Sequence, residues 1–110
     1  MENHFSRIID ENSLEELVAR SETEPVIIFK HSTTCSLSAS AYSELLQLGS
    51  EVNLVEVQHY PSVSEEIEKR TGLRHESPQV IVLRRGKAVW DASHWQIKTL
   101  AVETAVQDNR

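Results

Sequence analysis

The chain has 110 residues, with 11 Lys or Arg and 17 Asp or Glu, which gives a formal net charge of −6 at pH 7. This length suits one domain over residues 1–110, because it is too short for two separate cores and long enough to fold without disulfides or a structural metal. The negative charge argues against nucleic acid or an anionic membrane as the main partner, since both repel such a surface.

The first half of the chain is predicted to alternate helices and strands. The stretch NSLEELVARSE opens with Ser13 and has Glu16 three residues later, a capping-box pattern that predicts a helix start. The apolar run VIIF after Pro25 indicates a strand that is covered on both faces. The segment SLSASAYSELLQLG then predicts a helix that ends at Gly49.

The second half is predicted to contain three strands and two helices. VNLVEV is typical of a strand, and Ser62 with Glu65 suggests a second capping box, before a helix that Gly72 closes. QVIVL and KAVWDA read as two strands joined by the turn RRGK. HWQIKTLAVETAVQ predicts a terminal helix, with these residues expected on its apolar face: Ile97, Leu100, Ala101 and Val106.

The predicted order is therefore α-β-α-β-α-β-β-α. A strand–helix–strand unit requires a right-handed parallel crossover, and the late hairpin adds an antiparallel edge to the sheet. This order matches the thioredoxin fold, so we expect an α/β protein with a mixed sheet.

Cys35, the only cysteine, falls on this map at the start of the second helix. Unpaired backbone N–H groups and the helix dipole favour a thiolate there. Lys30 and His31 could add positive charge, although successive strand residues face opposite sides and only one of the two can point toward the sulfur. Four neighbouring hydroxyl side chains could hydrogen-bond the sulfur or cap the helix: Thr33, Thr34, Ser36 and Ser38.

Cys35 and Ser38 form a C-x-x-S pattern. A serine cannot resolve a mixed disulfide from within, so thiol chemistry here requires a second thiol from elsewhere. The alternative is a small buried cysteine with no chemistry, but the polar flank HSTTCS is unlike a core segment.

The chain carries no signal for export or membrane insertion. MENHFSRIIDEN lacks a basic region followed by an apolar core, and no apolar run approaches the roughly 20 residues of a membrane span. A single cysteine cannot form an internal disulfide, which suits a reducing compartment. We therefore expect a cytoplasmic location.

Three further features receive structural interpretations. We expect no metal site, because the possible ligands are spaced unlike any known metal-ligand motif: His31, Cys35, His59, His75 and His94. Pro78 precedes a predicted strand, and because only about 5–6% of X-Pro bonds are cis, the sequence leaves its isomer open. Trp90 and Trp95 are expected to pack at the edge of the core.

Two blocks, HSTTCSLSASA and ESPQVIVLRRGKAVWDASHW, together closely resemble the YtxJ-type monothiol bacilliredoxins. The resemblance extends from about Pro25 to Trp95 and implies a thioredoxin-like fold. It implies that Cys35 is the nucleophile and that Ser77 and Pro78 form the cis-proline loop facing it. The chain departs from the family motif T-C-P-x-S at Ser36, which replaces the proline.

The resemblance also implies a reaction. Family members are implicated in removing bacillithiol from S-bacillithiolated proteins, so the expected partners are S-thiolated client proteins. Bacillithiol or another low-molecular-weight thiol would be the co-substrate, and no tightly bound cofactor is expected. Arg74 and His75 precede the cis-proline loop and could meet an anionic thiol such as bacillithiol, whose malate carries two carboxylates.

Two alternatives remain open from the sequence. One is an iron–sulfur or metal-binding module of the monothiol glutaredoxin type, with Cys35 as a ligand, although the chain lacks the C-G-F-S motif usual in such proteins. The other is a non-catalytic adaptor that uses the groove only to hold a partner.

Overall fold

The computed structural model describes residues 4–110 and shows five strands and four α-helices within that range. In chain order they are β1 (Phe5–Arg7), α1 (Glu11–Arg20), β2 (Val26–His31), α2 (Ser36–Leu45), β3 (Val52–Glu56), α3 (Pro61–Thr71), β4 (Gln79–Arg84), β5 (Lys87–Ser93), a 3-10 turn (His94–Gln96) and α4 (Thr99–Asp108). No helix in the described range is long and apolar enough to cross a membrane.

The five strands form one mixed sheet in the order β1-β3-β2-β4-β5. β3 runs parallel to both β1 and β2, whereas β4 is antiparallel to both β2 and β5. The predicted parallel crossover, the antiparallel hairpin and the α/β thioredoxin-like class are therefore confirmed. β1 was not predicted from the sequence; it is a three-residue edge strand in which Phe5 pairs with Val52 of β3.

The sheet separates two hydrophobic clusters. Ile27 and Phe29 of β2 belong to the cluster that includes residues of α2 and α4. Val26 and Ile28 belong to the cluster that includes residues of α1 and α3. This alternation continues to the end of β2, because side chains on a strand face opposite sides in turn. The last two residues of β2 therefore face different helix layers.

Both predicted capping boxes are wrong. In α1 the N-cap is Asp10, whose side chain accepts the Ser13 N–H at 2.8 Å, while Ser13 Oγ accepts the Asp10 N–H at 3.2 Å. This places the helix start earlier than the sequence pattern suggested. α3 begins at Pro61, which occupies the first helical position, so Tyr60 is the N-cap and makes no side-chain capping bond.

Glycine determines the end of α3 and the hairpin turn, but not the end of α2. Gly72 closes α3 with a left-handed φ of 72°, as predicted. α2 ends at Leu45, before Gly49, so glycine does not cap this helix. The turn between β4 and β5 has positive φ at both Arg85 (56°) and Gly86 (75°), as a two-residue hairpin turn requires.

Two predictions about packing fail near the C-terminus. Leu100 is 73% exposed, because α4 packs instead through Val102, Ala105 and Val106. Trp90 packs against the core as predicted, whereas Trp95 on the 3-10 turn is 74% exposed.

Candidate functional site

Cys35 is the N-cap residue of α2, with extended backbone angles of φ −108° and ψ 127°. Its carbonyl accepts the Ala39 N–H at 3.0 Å, which begins the helical hydrogen-bond series, and its own N–H donates to the Ser32 carbonyl at 3.4 Å. The thiol is half-buried, and the Cys35 side chain makes no capping hydrogen bond. The predicted position at the leading end of a helix is confirmed, and the residue there is only partly buried.

The loop that leads into Cys35 is held from outside by Gln58, which follows β3. Gln58 Nε2 donates to Thr33 Oγ1 at 2.8 Å, and Gln58 Oε1 accepts the Thr33 N–H at 3.3 Å. The Thr34 hydroxyl lies 3.3 Å from the Ser32 hydroxyl within the loop. The sequence analysis missed Gln58, because no local pattern indicates a contact across 25 positions.

Ser38 holds the same loop from beneath. Its side chain is fully buried, and its Oγ accepts the Ser32 N–H at 3.0 Å and lies 2.7 Å from His31 Nδ1. The His31 ring packs between the rings of Phe29 and Tyr42, at centroid distances of 5.0 and 5.4 Å. Ser36 and Thr34, the other hydroxyls proposed to support the thiolate, are exposed.

Burial lowers the pKa of His31, although Glu56 opposes the shift. The ring is therefore a neutral imidazole near neutral pH. This works against the positive charge that the sequence suggested for His31, and it identifies the His31–Ser38 contact as a neutral hydrogen bond.

The Ser77–Pro78 peptide bond is cis, in agreement with the expectation drawn from the family resemblance. Lys30 of β2 pairs with Gln79 of β4, so Pro78 lies across from the end of β2. This end of β2 is four residues before Cys35 in the chain. The Pro78 carbonyl accepts the His94 N–H at 3.1 Å from the 3-10 turn. The cis-proline loop and the cysteine therefore occupy the same end of the sheet.

The buried side chain of Gln79 makes hydrogen bonds to the backbone of the loop before Pro78. Its Nε2 donates to the Arg74 carbonyl at 3.2 Å, and its Oε1 accepts the Glu76 N–H at 3.3 Å. The Arg74 side chain is exposed. Its guanidinium makes no ion pair within residues 4–110, which leaves it available to an anionic ligand.

Two buried polar atoms at this end of the sheet have no hydrogen-bond partner within the described residues: Lys30 Nζ and Ser77 Oγ. Desolvation lowers the pKa of Lys30 to about 8, while Glu68 and Glu76 oppose the shift. Lys30 therefore lies on the α3 side of the sheet and His31 on the α2 side. The sequence analysis had left open which of the two faces the cysteine layer.

The histidines considered as metal ligands are dispersed. His59 pairs with Glu56 at 3.0 Å, and His94 lies 3.4 Å from Glu76. Within residues 4–110, no group of three or more His, Cys, Asp or Glu side chains is arranged to hold a metal ion.

Known proteins place the chain in a family. A sequence profile described as monothiol bacilliredoxin BrxC matches residues 6–102. The chain belongs to the monothiol bacilliredoxin family. This confirms the family assignment made from the two sequence blocks, and the family and the fold together support a thiol redox function.

Solved structures show the same fold as this bacilliredoxin. A structure described as a candidate oxidoreductase with a thioredoxin fold is 27% identical, with a TM-score of 0.85 over 92% of each chain. Mitochondrial thioredoxin 3 from Saccharomyces cerevisiae is 14% identical, with a TM-score of 0.71 over 94% of each chain. Fasciola hepatica thioredoxin is 12% identical, with a TM-score of 0.75 over 96% of this chain and 99% of its own. The last two show the fold alone.

Proposed function

We propose that this protein is a monothiol thiol–disulfide exchange enzyme that removes bacillithiol from S-bacillithiolated client proteins through Cys35. The observation that carries the proposal is a half-buried cysteine at the leading end of α2 in a chain with no second cysteine. Such a thiol can accept a small thiol from a client but cannot release it through an internal disulfide. Family membership supplies bacillithiol as the expected small thiol.

In the first step, the Cys35 thiolate attacks the bacillithiol sulfur of the client's mixed disulfide. A new S–S bond forms between Cys35 and bacillithiol as the bond to the client breaks. The client cysteine leaves as a thiolate and takes up a proton from solvent. Cys35 occupies the N-cap of α2, the end of the helix at which backbone N–H groups lack helical carbonyl partners.

In the second step, a free bacillithiol thiolate attacks the bacillithiol sulfur held on Cys35. The products are the Cys35 thiolate and oxidised bacillithiol, so one free bacillithiol is consumed for each client thiol restored, and the disulfide ends between the two bacillithiols. A partner reductase could replace the second bacillithiol. Because free thiols persist in reducing compartments, we place this reaction in the cytoplasm.

The cis-proline loop and Arg74 are proposed to bind the substrate. Ser77 and Pro78 lie at the same end of the sheet as Cys35, where their backbone could pair with an extended segment on either side of the modified client cysteine. Arg74 is exposed and makes no ion pair with a carboxylate within residues 4–110, and it could bind the carboxylates of bacillithiol.

Turnover of an S-bacillithiolated client tests this function. The wild-type protein with free bacillithiol should restore the client thiol, and Cys35→Ser should be inactive although it folds like the wild type. Clients carrying cysteine or glutathione in place of bacillithiol test the choice of small thiol. An inactive wild type, or a Cys35→Ser variant with full activity, would contradict the proposal. Iron in protein purified without oxygen would favour the iron–sulfur alternative.

A further inference from the structure

Lys30 is the least expected residue of the central strand. Its side chain has no solvent exposure, and its ammonium makes no hydrogen bond within residues 4–110. Burying an ammonium group without hydrogen-bond partners is unfavourable, and an apolar side chain of similar volume at such a position is often neutral or stabilising. A lysine here therefore weakens the fold, which suggests that its charge serves another purpose.

The charged and titratable groups that face Lys30 come from α3 and from the loop between α3 and β4. Glu68 of α3 and Glu76 of the loop attract its ammonium, and both oppose the desolvation that lowers its pKa. Burial lowers the pKa of His75, the charge of Lys30 lowers it further, and the same two carboxylates oppose the shift. On the neighbouring strands, Lys30 pairs with the uncharged residues Val55 and Gln79.

The same two carboxylates hold the loop. Glu68 Oε2 accepts the His75 N–H at 3.3 Å, which ties the loop to α3. Glu76 Oε1 lies 3.4 Å from His94 Nε2, which ties the loop to the 3-10 turn. Lys30 makes no ion pair with either carboxylate within residues 4–110, so it attracts Glu68 and Glu76 across a longer gap, from the same face of the sheet as α3.

We propose that Lys30 is a positioning residue, whose buried ammonium attracts Glu68 and Glu76 and thereby fixes the loop over residues 74–78 in the shape that receives the client. The part of this inference that concerns the client rests on the function proposed above, whereas the ordering of the loop does not. Without the ammonium, Glu68 and Glu76 would turn toward solvent. The loop would then lose its contacts to α3 and to the 3-10 turn, while Cys35 and its own loop would keep theirs.

Amide hydrogen exchange in Lys30→Met tests the ordering of the loop without any activity. The His75 N–H donates to Glu68 Oε2 and the Glu76 N–H donates to Gln79 Oε1, so both amides report on the order of the loop. We expect each to exchange about tenfold faster in Lys30→Met. The amides of Ser32 and Thr33, which donate to Ser38 and Gln58, should not change. Unchanged exchange at His75 and Glu76, or an equal increase at all four amides, would overturn the proposal.

Kinetics then separate positioning from a general structural role. In Lys30→Met we expect KM for an S-bacillithiolated client to rise about tenfold, because a displaced loop weakens binding. Alkylation of Cys35 by iodoacetamide needs no docked segment and should keep its rate. Lys87→Met, which removes an exposed lysine of the hairpin, is the matched control for loss of one charge. An unchanged KM, or a parallel fall in alkylation, would overturn the role in client binding.

Glu76→Gln provides a second test, which applies even if Lys30→Met does not fold. It keeps the backbone donor and the side-chain volume while removing one carboxylate that faces Lys30. Faster exchange at His75 and Glu76 supports the proposal, and unchanged exchange overturns it. An inactive wild type would reject the proposed function, but the exchange data would still decide whether Lys30 orders the loop.

Discussion

The two faces of the sheet differ in how they accommodate a buried polar side chain from β2. On the α2 face, His31 is packed between two aromatic rings and bonded to Ser38. On the α3 face, Lys30 is buried and its ammonium has no hydrogen-bond partner among residues 4–110; the same holds for the hydroxyl of Ser77. Lys30 and His31 both lie just before the cysteine loop, yet only His31 has a hydrogen-bond partner among the described residues.

This difference separates stability from function. A buried polar group with a partner contributes to the fold, whereas one without a partner weakens it. The His31 face therefore anchors the loop of Cys35 rigidly. On the Lys30 face, a buried charge destabilises the fold, and this charge lies beside the loop that is proposed to receive the client.

The largest expected effect comes from substituting the two neighbours in turn. His31→Ala leaves a cavity between Phe29 and Tyr42 and removes the partner of Ser38, so we expect a loss of about 3 kcal/mol in the free energy of unfolding. Lys30→Met should cause no loss. Urea unfolding measures both, with His59→Ala as an exposed histidine control expected within about 0.5 kcal/mol of wild type. Equal losses in the two variants would remove the contrast between the faces.

Alkaline pH should relieve the cost of Lys30. The folded protein releases the Lys30 proton near pH 8, whereas the unfolded chain releases it near 10.5. Between these values the unfolded chain binds more protons, so the stability of the wild type rises with pH. The gain relative to Lys30→Met should be at most on the order of 3 kcal/mol. Parallel stability curves for the two proteins from pH 8 to 10.5 would contradict the burial of a charged lysine.

Ser38→Ala should have a smaller effect. The substitution leaves the Ser32 N–H and His31 Nδ1 without their shared partner, which should lower the free energy of unfolding by about 1–2 kcal/mol. Ser36→Ala is the matched control, since Ser36 lies in the same helical turn but is exposed. If both variants unfold at the same urea concentration, Ser38 does not anchor the loop.

The smallest expected effect is an acid dependence that His31 produces. Burial lowers the pKa of His31 in the folded protein below its ordinary value of 6.5. Below pH 6.5 the unfolded chain therefore binds more protons, and the folded state loses stability as the pH falls. His31→Phe keeps an aromatic ring without a titrating group, so its stability should fall less than that of the wild type between about pH 7.5 and pH 5. Identical slopes would exclude the contribution of His31.

The predicted fold rested on local signals, and most of them were sufficient. The apolar run of β2, the left-handed Gly72 and the two-residue turn at Gly86 each determine their own geometry. β1 was missed because three residues carry no periodic pattern, and Phe5 becomes part of a strand only by pairing with Val52. The capping boxes failed because Asp10 and Pro61 fix the helix starts from outside the patterns that were considered.

The candidate site divides in the same way. Cys35 at a helix start could be predicted, because its position depends on the neighbouring strand and helix alone. The contacts of Gln58 and Gln79 could not, since each depends on how distant segments align in the folded chain. A lysine near the end of a strand also reads as a surface residue, so the burial of Lys30 emerged only from the packing of α3 on the sheet.

The central claim is that Cys35 takes bacillithiol directly from a client. The most direct test is a single turnover without free bacillithiol, in which equimolar protein and S-bacillithiolated client are mixed, quenched with acid and analysed by peptide mass spectrometry. We predict that bacillithiol moves to the peptide containing Cys35 while the client cysteine becomes a free thiol. Bacillithiol that stays on the client, or a disulfide joining Cys35 to the client as the lasting product, would contradict the account.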